Sequence, residues 1–171
     1  MGGETLFDIS GLSSRYSVRI MNDSDADVIL ALCAGNPQYY QYAGKQPTKE
    51  LVLNDLHITP PGMDLSSKYY IGFYDGPVLA AVMDLIRGYP DNEHCFIGFF
   101  MMNSQLQGNG TGSEIIREAC WYLKESGYAT VSLAIDRDNP QSTHFWKKNG
   151  FRVIREAERP EGILLVAEKT L

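Results

Sequence analysis

The 171-residue sequence has little cysteine, too few basic residues to offset its acids, and no long apolar run. Cys33, Cys95 and Cys120 are its only cysteines, odd in number and widely spaced. That spacing offers neither a disulfide framework nor the paired ligands of a zinc site, and it predicts reduced core thiols in a cytoplasmic protein. His57 and His144 have no metal partners at useful spacing, so no metal is expected. Lys plus Arg number 15 against 21 Asp plus Glu, a formal net charge of −6. The basic footprint of a nucleic-acid binder is missing, whereas a cationic substrate is compatible with the balance. No window reaches the ~20 apolar residues of a membrane span. Met1-Gly2-Gly3-Glu4 lacks the basic and apolar segments of a signal peptide, and Leu6 stands where myristoylation requires Ser or Thr. No membrane partner is expected.

Hydrophobic residues make up 44% and charged residues 21%, the content of a globular domain, and the length suits one domain with a real core. Residues 1–14 have no clear period and are expected to form an N-terminal arm, either loose or a short capping piece. Residues 15–171 are expected to form the single domain. Tyr16 to Ile20 alternates like a strand, and Asn22 to Asp25 supply helix-start residues before Val28, Ile29, Leu32 and Cys33. Gln38 to Gly44 is aromatic and irregular, and Thr48 to His57 predicts a second helix. Tyr69 to Tyr74 and Val78 to Ile86 flank Asp75-Gly76, a hairpin signal. His94 to Met102 is apolar on both faces and reads as a buried strand, with Gly98 marking a bulge or a close backbone approach. A helix over Thr111 to Ser126, a strand over Thr130 to Ile135, a helix opening at Asn139-Pro140 and a hairpin over Phe151 to Glu168 complete a mixed α/β order.

Between the His94–Met102 strand and the helix that follows lies Gln107-Gly108-Asn109-Gly110-Thr111-Gly112. Alternating glycines at a strand-to-helix junction leave backbone amides uncovered at the positive end of a helix dipole, which suits a phosphate. A Rossmann site would need G-x-G-x-x-G after the first strand of a parallel unit, and a P-loop would need Lys then Ser or Thr. Here Ser113 follows Gly112 directly, and neither pattern is met. Without a ligand, Ser or Asp would start the helix better than glycines, which lose the most entropy on ordering.

Gln107-x-x-Gly110-x-Gly112 resembles the Q/R-x-x-G-x-G/A signature of the GCN5-related N-acetyltransferases. Asn139 to Phe151, ending in Asn-Gly-Phe, is similar to that family's fourth-helix motif, and the order of elements from Tyr16 to Leu171 agrees. The resemblance implies an α/β fold with a mixed sheet of about six to seven strands flanked by about four helices. It also implies a sheet splayed between its fourth and fifth strands, with acetyl-CoA (or another acyl-CoA) bound in the gap as cosubstrate. By the same resemblance, the amides of Gly108, Asn109, Gly110, Thr111 and Gly112 hold the pyrophosphate. The backbone of Phe100, Met101 and Met102 pairs with the pantetheine, and an amide there polarises the thioester carbonyl. Asn139 matches a position that contacts pantetheine, and Ser142 lies in the same neighbourhood.

The proton chemistry is less legible. Acyl transfer requires a neutral amine, and a primary amine near pKa ~10.4 is mostly protonated at pH 7. The position that carries a carboxylate in many members of the family falls near Phe96, which cannot act as a base. Asp84, which interrupts the apolar run Val82 to Ile86, and His94, on the strand face of Phe96, are the candidates; Glu93 reads as a solvated charge. Trp146 stands where many members have a tyrosine that protonates the departing thiolate, and an indole N–H cannot do this. Trp146 therefore packs against the pantetheine or the core. CoA then leaves as a thiolate, or a water, Tyr89 or Tyr39 protonates it. Tyr39, Tyr40 and Tyr42 lie where the family covers its acceptor pocket. The implied activity is N-acetyl transfer from acetyl-CoA to a primary amine, a small molecule in preference to a protein N-terminus, by direct transfer in a ternary complex. A homodimer is compatible with this. The missing tyrosine keeps a non-catalytic acyl-CoA sensor as the alternative.

Overall fold

Segments of period-two or continuous apolar sequence become seven strands of one sheet in a computed structural model that describes residues 7–171. The strands are β1 (Ser17–Ile20), β2 (Lys68–Asp75), β3 (Val78–Arg87), β4 (His94–Met102), β5 (Thr130–Asp136), β6 (Arg152–Arg159) and β7 (Gly162–Thr170). Their spatial order is β1-β2-β3-β4-β5-β7-β6, antiparallel throughout except for the parallel pair β4–β5. Parallel neighbours need a crossover, which the helix α4 (Thr111–Glu125) provides.

Four further helices cover the sheet: α1 (Ala26–Ala34), α2 (Pro37–Ala43), α3 (Lys49–His57) and α5 (Pro140–Lys148). Local chemistry sets their ends. Asn22 and Asp25 form a reciprocal capping box ahead of α1, and Thr48 accepts from the Leu51 amide to cap α3. Helix α2 corrects the sequence expectation of an irregular segment; with it, the described residues form five helices, in keeping with the about four expected. Pro37 sits at its first turn, and Gly44, at φ +70°, closes it in the left-handed conformation. Its aromatic residues lack a clear 3.6-residue apolar stripe, which is why the pattern hid it.

The core has two layers because β3 is buried on both faces from Leu79 to Ile86. One layer packs Ile71, Phe73, Met83 and Leu85 against Ile115, Ile116 and Leu123 of α4 and Trp146 of α5. The other packs Tyr70, Val82 and Met101 against Ile29, Leu32, Val52 and Leu56 of α1 and α3. Burial of each large aliphatic side chain contributes roughly 1.5–3 kcal/mol. Residues Ile9–Leu12 make a 3-10 turn, Leu12 is fully buried, and the Tyr122 hydroxyl donates to the Asp8 carbonyl at 2.6 Å.

Two bulges place the site. In the β3–β4 ladder Asp84 pairs with Phe99 and Leu85 with Ile97, so Gly98 is an extra residue on β4. Such an insertion bends and twists its strand. The β4–β5 ladder runs only from His94↔Thr130 to Ile97↔Leu133, ending where the bulge begins. Strand β5 stays paired with β7 through Asp136↔Leu164. The sheet therefore opens into a V at Gly98.

Candidate active site

The V leads into a cavity of about 670 Å³ that has residues from both faces of the sheet in its walls. On the α4–α5 side it meets Phe100, Ser142 and Trp146; on the α1–α3 side it meets Asp84, Phe96, Tyr39 and Asp55. From Gly98 onward, the edge of β4 that faced β5 has no ladder partner, leaving amides and carbonyls for an extended ligand. The Met102 carbonyl is not among them, because it accepts from Asn36 Nδ2 at 3.0 Å and Gln107 Nε2 at 3.3 Å. Met101 and Met102 are buried, while Phe100 lies half-buried at the gap.

The glycine loop joins the end of β4 to α4 around the 3-10 turn Ser104–Leu106. Gly108 and Gly110 have φ of +85° and +81°, and a Cβ on either would meet nothing within 4 Å. Their glycine identity is thus a matter of backbone conformation. Gly112 differs, since a Cβ there would lie 3.2 Å from the Phe145 ring; it lets α4 approach α5. Gly110 is the N-cap of α4 and supplies no side-chain cap, which leaves the first-turn amides of Gly112 and Ser113 without an internal partner among the described residues. Asn109 Oδ1 accepts from Thr111 Oγ1 at 2.6 Å and holds the turn from within. The Gln107 side chain turns away from the loop, donating to Asn36 Oδ1 at 2.6 Å, and so anchors the loop to the end of α1.

Asn139 and Ser142 belong to the opening of α5. Asn139 is buried, and its Oδ1 accepts from the Ser142 amide at 3.1 Å as the helix cap. Trp146 is 8% exposed and packs edge-on against Phe145 and Phe151, with ring centroids 4.9 and 5.1 Å away. Of the two roles the sequence left for it, core packing is filled, and one side of the ring reaches the cavity.

The polar centre of the α1–α3 side is Asp84, which is 8% exposed. Its Oδ2 accepts from Lys68 Nζ at 2.7 Å, while its Oδ1 is buried with no partner. The carboxylate lies over Gly98, where a Cβ would come within 2.9 Å of Oδ2. Burial raises the Asp84 pKa, Lys68 pulls it back, and the charge of Asp55 adds to the rise. Asp55 is itself raised by burial, opposed by Lys45 and Lys68. His94 lines the cavity further along β4, with Nδ1 2.7 Å from Asp91 Oδ1; Tyr89 packs on Phe96 at 5.5 Å. Glu93, as expected, lies outside the cavity walls. Burial also raises the thiols of Cys33, Cys120 and Cys95, the last to about 12, so none offers a thiolate nucleophile.

Lys68, Asp55, Lys45 and Arg159 line or support this centre, and the sequence did not mark them as site residues. The signal for Lys68 is hidden by a second bulge. Counting back from the Asp75–Gly76 turn pairs Asp84 with Tyr69, but the register shift between Phe73 and Tyr74 pairs it with Tyr70. Lys68 thereby moves onto the face of Asp84, two residues along.

Residues 31–151 match the family model described as Acetyltransferase (GNAT) family. The chain belongs to this family. It is an acyl-CoA-dependent acetyltransferase. A comparison with curated proteins gave no sequence match. Among solved structures it is similar to an acetyltransferase from Thermus thermophilus, at 20% identity and TM-score 0.70, covering 91% of this chain and 96% of that one. The PaiA N-acetyltransferase from Thermoplasma acidophilum, in complex with coenzyme A, gives 17% identity and TM-score 0.64 over 91% and 98%. AAC(6')-Ib in complex with paromomycin and acetyl-CoA gives 14% and 0.70 over 92% and 94%. At these identities the likeness is one of fold.

Proposed function

We propose that this acetyltransferase moves the acetyl group of acetyl-CoA directly to the primary amine of a small molecule. The donor is held by the amides of the loop from Gly108 to Gly112, the free edge of β4 around Phe100, and the α5 opening at Asn139 and Ser142. Trp146 forms the wall beside the thioester. The acceptor enters from the opposite face of the sheet, where Asp84 receives its ammonium.

The observation that carries this reading is the split environment of one carboxylate. Oδ2 of Asp84 is fixed by Lys68, and Oδ1 is buried and unpartnered beside the point where the sheet opens. A buried acceptor atom without a donor is costly, and a bound ammonium supplies the missing one. Asp84 Oδ1 then takes a proton from the amine, whose freed electron pair attacks the thioester carbonyl. The C–S bond breaks, CoA leaves as a thiolate of ordinary pKa ~8.5, which needs no tyrosine, and the nitrogen's second proton passes to that thiolate or to water. His94, held by Asp91, is placed to pass the proton from the cavity to solvent. The aminoglycoside complexes of AAC(6')-Ib give a small-molecule precedent on the same fold.

Asp84→Asn keeps a partner for Lys68 and removes the base. Turnover is expected to fall roughly 10²–10⁴-fold, with acetyl-CoA affinity within threefold of the parent by calorimetry. A fall of less than threefold in kcat would assign the proton to another group.

A further inference from the structure

Among the described residues, two buried side-chain polar atoms have no hydrogen-bond partner, Asp84 Oδ1 and Arg159 Nε. Both residues line the same cavity. One atom is an acceptor that needs a donor, and the other is a donor that needs an acceptor. Elsewhere in the two groups, Asp84 Oδ2 pairs with Lys68 and Arg159 Nη2 with Asp136. Glu161 Oε2 lies 3.9 Å from Arg159 Nε, beyond hydrogen-bond reach. Native proteins leave few buried polar atoms unpaired, and two of opposite type in one cavity are an unmet demand for a single ligand carrying both signs.

The walls argue the same way. Around the acceptor half, Asp55 and Glu168 are balanced by Lys45 and Arg155. A pocket for a polycation would present carboxylates without these cations. Tyr39, in the same wall, feels both kinds of charge: burial raises its hydroxyl to about 12, with Arg159 opposing the rise and Asp55 adding to it. The turn that carries Arg159 also closes on the α2–α3 side, since a Cβ on Gly44 would lie 3.8 Å from the Glu161 side chain. Arg159 and Asp84 thus both line this cavity, one from β6 and the other from β3.

We propose that the acceptor is a small zwitterionic amine, an amino carboxylate or amino phosphate, whose ammonium pairs with Asp84 Oδ1 and whose oxyanion accepts from Arg159 Nε. This rests on the amine-acetylation reading and names the substrate class within it. A site that leaves a buried donor unpaired rejects an analogue lacking the matching group far more strongly than one that only loses apolar contact.

The test is thiol release from acetyl-CoA with matched acceptors. The common α-amino acids that have a primary amine and no side-chain acid are each paired with the amine that remains without the carboxyl group, phosphoethanolamine is paired with ethanolamine, and spermidine is the polycation. At least one zwitterion is expected to show kcat/KM about tenfold or more above both its partner and spermidine. The amino acid and phosphoethanolamine arms separate carboxylate from phosphate. Arg159→Gln is expected to lower that ratio at least threefold, mainly through KM. Because Arg159 also holds Asp136, Arg159→Lys provides a second variant that keeps the charge, lacks the Nε–H, and should lower the ratio likewise. Acetylation of carboxylate-free amines or spermidine as efficiently as any zwitterion would overturn the substrate class while leaving amine acetylation intact. A ratio unmoved in both variants would overturn the role of Arg159, and turnover with no acceptor at all would overturn both readings.

Discussion

At the scale of single residues, the site turns on the contact between Asp84 and Gly98. An alanine at Gly98 would push its Cβ to 2.9 Å from Asp84 Oδ2, and that oxygen cannot swing aside while Lys68 holds it. Gly98→Ala is expected to cost roughly 1–3 kcal/mol of stability by chemical denaturation, as overpacking does. It should also lower kcat more than it lowers acetyl-CoA affinity. A variant with parental kcat would show that the position of Asp84 is unimportant. Asp55 offers a second residue-scale check, through pH. Its pKa is raised in the fold by burial, so between the ordinary carboxylate value of ~3.9 and the raised value the unfolded chain binds fewer protons than the native state. Stability therefore falls as pH rises through that window, and the loss persists above it. Asp55→Asn is expected to melt at a higher temperature than the parent at pH 7, with the difference vanishing below about pH 3.9. A lower melting temperature at pH 7 would mean that Lys45 and Lys68 stabilise the ionised form more than burial penalises it.

At the scale of elements, the glycine loop and the bulged strand divide the work. The loop sets amides at the start of α4, and its two left-handed glycines are there for conformation, not for space. A β-branched side chain at Gly110 is strained at φ +81° and screens the amides from a ligand. Gly110→Val is accordingly expected to abolish measurable CoA binding by calorimetry while the protein still melts cooperatively. Unchanged affinity would remove the loop from the donor site. The bulge at Gly98 parts β4 from β5, and Phe100 lies beyond it on the freed edge.

At the scale of the molecule, the parts of the chain governed by local rules were legible and the parts governed by register were not. Asp75-Gly76 marks its hairpin, Asn139-Pro140 opens α5, and Gly98 marks a bulge because each acts on its own backbone. Asp84 was noticeable as a charge inside an apolar strand. Its partner Lys68 was not, because the bulge near Tyr74 changes which face of β2 meets it. Asp55, Lys45 and Arg159 come from three segments that only the tertiary fold brings to one cavity, and no spacing encodes that meeting. In the proposed function the two cosubstrates reach this cavity from opposite faces of the sheet, and burial raises all three cysteine thiols, which argues against a cysteine carrying the acetyl group between them. Direct transfer is proposed on that ground. The most direct test is the initial rate of CoA thiol release with acetyl-CoA and an amine acceptor varied against each other. Intersecting double-reciprocal lines are expected, whereas parallel lines, or tight acetyl-CoA binding with no thiol released on any amine, would contradict direct acetyl transfer across the splayed sheet.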